Sequence, residues 1–120
     1  MKALEFIQSI GGIAEIWKHE QKLVQLSNAG FRQRGEKVKV LGSLSDEGRV
    51  GVYAFLLAEN NFNRIGEDFA KENICIRAGG HCAYPLHKLL NAGGSSRMSS
   101  YVYNDEEDIR RFFEVLDTML

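Results

Sequence analysis

At 120 residues, with 44% hydrophobic side chains and one proline, the chain has the size of a single domain able to bury roughly two thirds of the surface its unfolded form exposes. Its 15 basic and 16 acidic residues leave a formal charge of -1, which removes the electrostatic reason to expect a nucleic-acid partner. No apolar run approaches the ~18 residues that cross a bilayer, so no membrane partner is expected.

Residues 2–10 predict a short helix with Leu4, Ile7 and Ile10 on one face, interrupted by Gly11 and Gly12. A longer helix follows. Ile13, Ile16, Trp17, Leu23, Val24 and Phe31 fall on one stripe at helical spacing, and Gly35 supplies a stop. "KVKVLG" and "RVGVYAFLLA" read as two strands around a turn-rich "SLSDEG". Asn60 or Asn61 can cap the next helix, whose buried row is Phe62, Ile65 and Phe69.

"ICIRAG" reads as another strand, with Ile74 and Ile76 on one face and Cys75 and Arg77 on the other. A helical turn is expected from Pro85, and "SSRMSSYVYN" reads as a strand. In the closing helix, Asn104 answered by Glu107 would form a capping box, with Ile109, Phe112, Phe113 and Leu116 inward. This order predicts an α+β fold, one domain over residues 1–120, with a small and largely antiparallel sheet packed by helices.

The chemistry concentrates in "ICIRAGGHCAYPLHKLL". A thiol becomes reactive where backbone amides, a helix start or a cation favour the thiolate. Cys82 follows a glycine loop, neighbours His81 and precedes a helix opening near Pro85. The competing reading is a small, half-buried side chain. For Cys75, in its strand, packing is the expected role.

Cys75, His81, Cys82 and His87 include enough nitrogen and sulfur for zinc. Their interleaving departs from the paired spacing of zinc sites, so no metal is expected. A Cys–His hydrolase is equally disfavoured, since nothing marks a third, orienting residue. Arg97 is either a surface or ion-paired residue or a bidentate carboxylate clamp. The same alternatives apply to Arg77. His19 and His87 read as solvated. Two cysteines and a start unlike a secretory signal predict free thiols in a reducing, cytoplasmic setting.

Two linked segments give the sequence a resemblance. "IRAGGHCAYPL" is similar to the R-x-G-H-H-C-A-x-P-L loop of cysteine desulfurases and selenocysteine lyases, within the class V aminotransferases. Downstream, "RMSSYVYND-E" resembles their R-A-S-x-x-x-Y-N-T-x-E segment, and the upstream order fits as well. Gly80 stands where the family has the first of two histidines, Tyr84 replaces a common glutamine, and Met98 replaces an alanine.

The resemblance implies the small C-terminal domain of a fold-type I pyridoxal-phosphate enzyme, with residues 1–12 at the interdomain seam and 13–120 as the small-domain core. It places Cys82 as the sulfur-accepting nucleophile, preceded by His81. It places Arg97 on the substrate carboxylate, and Arg77 as the loop arginine. Pyridoxal phosphate is the family's cofactor, but the S-G-H-K lysine motif is missing from these residues. No cofactor is therefore expected on this chain alone, and it is expected to be inactive without a partner.

Candidate partners are a large-domain chain carrying the cofactor, or a second copy forming a homodimer through the first helix or a sheet edge. The alternatives are a persulfide or thiol carrier and a non-catalytic assembly module.

Overall fold

The computed structural model describes residues 1–59 and 61–120. Helix α1 (Lys2–Ser9) leads through Gly11, at φ 103°, into the long helix α2 (Gly12–Arg34). A 3-10 turn (Gly35–Lys37) precedes strands β1 (Val38–Val40) and β2 (Val52–Leu57). Then come α3 (Phe62–Lys71), β3 (Arg77–Gly79), α4 (Tyr84–Leu89), β4 (Ser95–Ser99) and α5 (Glu106–Asp117). The expected element order and α+β class both hold.

The four strands form one sheet in the order β1-β2-β4-β3, with every pair antiparallel. Alternation along β2 sends Tyr53, Phe55 and Leu57 into the core, joined by Met98 of β4 and Val38 of β1. Phe31 of α2 sits among the rings of Tyr53, Phe55, Phe112 and Phe113, with centroids 5.0–6.1 Å away. Phe69 of α3 stacks on Phe112 at 4.9 Å. These contacts join α2, α3 and α5 to one face of the sheet. Close approach of α2 and α5 requires Gly30, since a Cβ there would lie 2.2 Å from the Phe113 ring.

Several expectations shift in detail. Only Ile16, Leu23, Val24 and Phe31 of the α2 stripe are buried, while Ile13 and Trp17 are exposed. The apolar side of α1 buries nothing fully. The chain at Ile74–Ile76 lies outside the ladder, yet both isoleucines pack on the core. Cys75 between them is exposed, which corrects its assignment to packing. Period-two alternation persists there without strand pairing, and it turns the thiol outward.

Asn61 caps α3, accepting from the Arg64 amide at 3.2 Å, whereas Asn60 lies outside the described residues. The cap of α5 lies one residue later than expected. Asp105 accepts from the Asp108 amide, and Asp108 answers the Asp105 amide. Asn104 instead accepts from the Tyr101 amide, closing a turn that ends β4 at Ser99. His19 is half-buried and not simply solvated: its Nε2–H donates to the Asn104 carbonyl at 2.8 Å and ties α2 to the start of α5. Among the described residues, no helix is long and apolar enough to cross a membrane.

Candidate active site

The sheet face turned away from α2, α3 and α5 carries the predicted site residues. The register sets Arg97 between Ala54 of β2 and Arg77 of β3, so the two arginines are direct cross-strand neighbours. Like charges in that relation repel. Neither forms an ion pair among the described residues, and the Arg97 Nε is buried without a hydrogen-bond partner. Arg97 is partly buried and Arg77 exposed. A carboxylate offers the bidentate acceptor that such guanidinium groups lack here.

Beyond β3 the chain turns sharply. His81 and Cys82 take left-handed backbone conformations, φ 51° and 60°, which cost an L-residue roughly 1–2 kcal/mol each. The turn is closed by the Ala83 amide donating to the Gly80 carbonyl at 2.7 Å. It exposes Cys82 at the tip, and α4 follows with Pro85 in its first turn. Both thiols are free.

Gly80 and Tyr84, two departures from the family loop, prove to be one feature. A Cβ on residue 80 would meet the Tyr84 ring at 2.3 Å. The tyrosine therefore occupies the space a side chain at position 80 would need.

The sequence does not single out Ser95, and it offers His87 only as a disfavoured zinc ligand and a solvated residue. The His81 Nε2 lies 3.1 Å from both the carbonyl and the hydroxyl oxygen of Ser95. His87 lies 3.0 Å from that same hydroxyl through Nε2, and 3.0 Å from the Ala83 carbonyl through Nδ1. His87 is 4% exposed, a correction to its expected solvation. Because α4 lies over Ser95, the fifth residue after Cys82 points inward, and a six-residue helix gives no periodic signal to reveal this.

The His81 pKa is pushed down, first by burial, then by the positive charge of Arg97, with His87 and Arg77 adding to it; the Ser95 hydrogen bond opposes. The charged groups acting on His81 are thus all cationic. Arg77 and Arg97 face each other at the start of β3, His81 senses both charges from the loop after its end, and Cys82 follows His81 there, while Cys75 precedes the strand. Among the described residues, no three His, Cys, Asp or Glu side chains converge as metal ligands would.

The profile of the aminotransferase class-V family matches residues 1–112. The chain belongs to this family. Similar curated proteins include a probable cysteine desulfurase of Staphylococcus aureus strain Mu50, 33% identical over 117 residues. A probable cysteine desulfurase of Staphylococcus epidermidis is 31% identical over 115 residues. Each match covers 96% of this chain but 27% of the relative, so the chain spans about a quarter of their length.

Among solved structures, the apo cysteine desulfurase of Thermococcus onnurineus NA1 matches with a TM-score of 0.87 and 28% identity, over 96% of this chain and 28% of that one. A cysteine desulfurase from Escherichia coli shares the fold, with a TM-score of 0.79 at 24% identity, over 97% and 28% of the two chains.

Class V aminotransferases are in general pyridoxal-phosphate enzymes, and that cofactor requires a Schiff-base amine. The cluster described here offers a thiol, two guanidinium groups and two imidazoles. Lys71 pairs with Asp68 on α3, and Lys88 lies on the exposed last turn of α4. These residues fit an anionic carboxylate and do not by themselves fit pyridoxal phosphate.

Proposed function

We propose that this chain contributes the thiol and carboxylate-binding half of a cysteine-desulfurase-like site. Cys82 is the sulfur-accepting nucleophile, Arg97 holds the substrate carboxylate, and Arg77 and His81 complete the anion-binding pocket. The cofactor-bearing half comes from another segment or a partner chain. The observation that carries this reading is one juxtaposition. An exposed thiol stands on a left-handed turn just after β3, a three-residue strand whose first residue, Arg77, faces Arg97 with no acidic partner for either among the described residues.

An idle relic would be free to lose such a feature, since unpaired cations side by side oppose folding. The exposure of Leu4, Phe6, Ile13 and Trp17 on α1 and early α2 supports a seam covered by that other half or by a second copy. A persulfide carrier would use the same thiol without the arginines.

Because Cys75 is exposed too, alkylation tests activation and not mere access. At neutral pH Cys82, if it is the nucleophile of the site, should react with iodoacetamide several-fold faster than Cys75. Peptide mapping of the alkylated protein reads both rates. Saturating free cysteine carboxylate analogue, supplied as alanine, should slow Cys82 alone, and Arg97→Ala should abolish that protection. Equal rates at the two cysteines would overturn the reading. Protection that survives Arg97→Ala would remove the carboxylate role.

A further inference from the structure

The oxygens around His81 and His87 determine which ring nitrogen of each carries hydrogen. A carbonyl only accepts, so the His87 Nδ1 facing the Ala83 carbonyl carries its hydrogen. In the neutral ring the His87 Nε2 is then bare, and it accepts from the Ser95 hydroxyl. At the other end, the His81 Nε2 faces the Ser95 carbonyl and hydroxyl oxygens together, and must donate. One arrangement satisfies every group: His81 Nε2–H to Ser95, Ser95 O–H to His87, and His87 Nδ1–H to Ala83. It leaves a single nitrogen over. The His81 Nδ1 is buried and has no partner among the described residues.

We propose that Ser95 and His87 are positioning residues that hold His81 as its neutral Nε2–H form, keeping Nδ1 as a proton acceptor within the Cys82 loop. The inference rests on the proposed function only for what the acceptor serves. A proton leaving the Cys82 sulfur, or arriving with substrate, would bond to Nδ1 and give an imidazolium. Its Nε2–H would stay on Ser95, so the clamp need not break. The groups facing His81 are Arg97 of β4, Arg77 of β3 and His87 of α4, all cationic or neutral. They disfavour a proton that is held permanently and leave the nitrogen free to take one in passing.

The clamp also accounts for a buried serine and a buried histidine on a sheet face otherwise open to solvent. Without His87, the Ser95 hydroxyl loses its acceptor and can turn to donate to the His81 Nε2, which competes with the Ser95 carbonyl and weakens the preference for Nε2–H without removing it. The direction of that change is what a purely structural role for His87 would not produce.

Long-range proton–nitrogen correlation spectra of histidine-labelled protein decide the matter. At pH about 8, where an ordinary imidazole is neutral, wild-type His81 should show hydrogen on Nε2 and a bare Nδ1. His87→Ala should shift its tautomer ratio several-fold toward Nδ1–H, the range one neutral hydrogen bond allows (up to about tenfold). His87→Gln, which restores an acceptor for the serine, should recover most of the wild-type ratio. Wild-type His81 carrying hydrogen on Nδ1, or a ratio unmoved by His87→Ala in a folded variant, would overturn the proposal. Neither result depends on thiol reactivity. A correct tautomer beside an unreactive Cys82 would therefore retire the desulfurase reading and leave the clamp standing.

Discussion

On the helix side of the sheet, Tyr53 and Phe55 are fully buried and Met98 nearly so, and the Tyr53 hydroxyl finds partners in the Asn28 side chain and the Val24 carbonyl. On the opposite side, among the described residues, Arg77 and Arg97 face each other without an acid, His81 and Cys82 hold left-handed backbone, and the His81 Nδ1 is buried without a partner. The first face has unpaired groups of its own, the buried Ser27 and Ser96 hydroxyls, but they are set in a large apolar core. The second accumulates several such features within a short stretch of chain. Local strain of this kind persists only where the surrounding structure enforces it, and it concentrates at sites of chemistry. The contrast makes the helix side the source of stability and the other side its consumer.

The sharpest way to break this comparison is to remove a ring from the helix side. Phe112 is 2% exposed and contacts Phe31, Phe55, Phe69 and Phe113. Phe112→Ala should destabilise the fold by about 3–5 kcal/mol, combining lost burial with the cavity left behind. Urea denaturation followed by circular dichroism measures it. A loss below about 1 kcal/mol would mean that the rings are loosely packed and that the two faces differ less than their burial implies.

On the other face the sign should reverse. Cys82 is exposed, is not in a disulfide and sits at φ 60°. Cys82→Gly should relieve the left-handed backbone and raise stability by about 0.5–1 kcal/mol, once the greater freedom of unfolded glycine is subtracted. The same variant removes the proposed nucleophile. Stability gained together with alkylation lost at that position would locate the strain in the functional turn. A destabilised Cys82→Gly would show instead that the thiol contributes to packing.

The helix side was also the more legible in sequence. Ile65, Phe69, Ile109, Phe112, Phe113 and Leu116 can be read from periodicity because one apolar stripe has one place to go. Ile13 and Trp17 lie on the same stripe as Phe31, yet they extend past the edge of the core and stay exposed. Periodicity describes a face and cannot say how far along the helix its cover reaches. At the candidate site, Cys82, His81, Arg77 and Arg97 stand out because their order along the chain matches a family loop. Ser95 and His87 do not. Their meeting depends on α4 folding back over β4, and neither residue type nor spacing encodes that contact.

The smallest expected effect is a pH dependence confined to the site face. Burial and Arg97 hold the His81 pKa below its ordinary 6.5. Between the two values the unfolded chain binds the proton and the folded chain does not, so acid favours unfolding there. This contribution to stability is fully present above about pH 6.5 and falls away as the pH drops toward the depressed folded value. His81→Asn keeps a residue that tolerates left-handed backbone and removes the titration. The difference in urea midpoint between wild type and His81→Asn should therefore shift in the variant's favour on going from about pH 7.5 to about pH 5.5. Adding Arg97→Met should narrow that shift without abolishing it, since burial is the larger cause. If wild type instead gained on the variant in acid, His81 would be protonated in the fold, and its environment would be acidic where the geometry shows only cations.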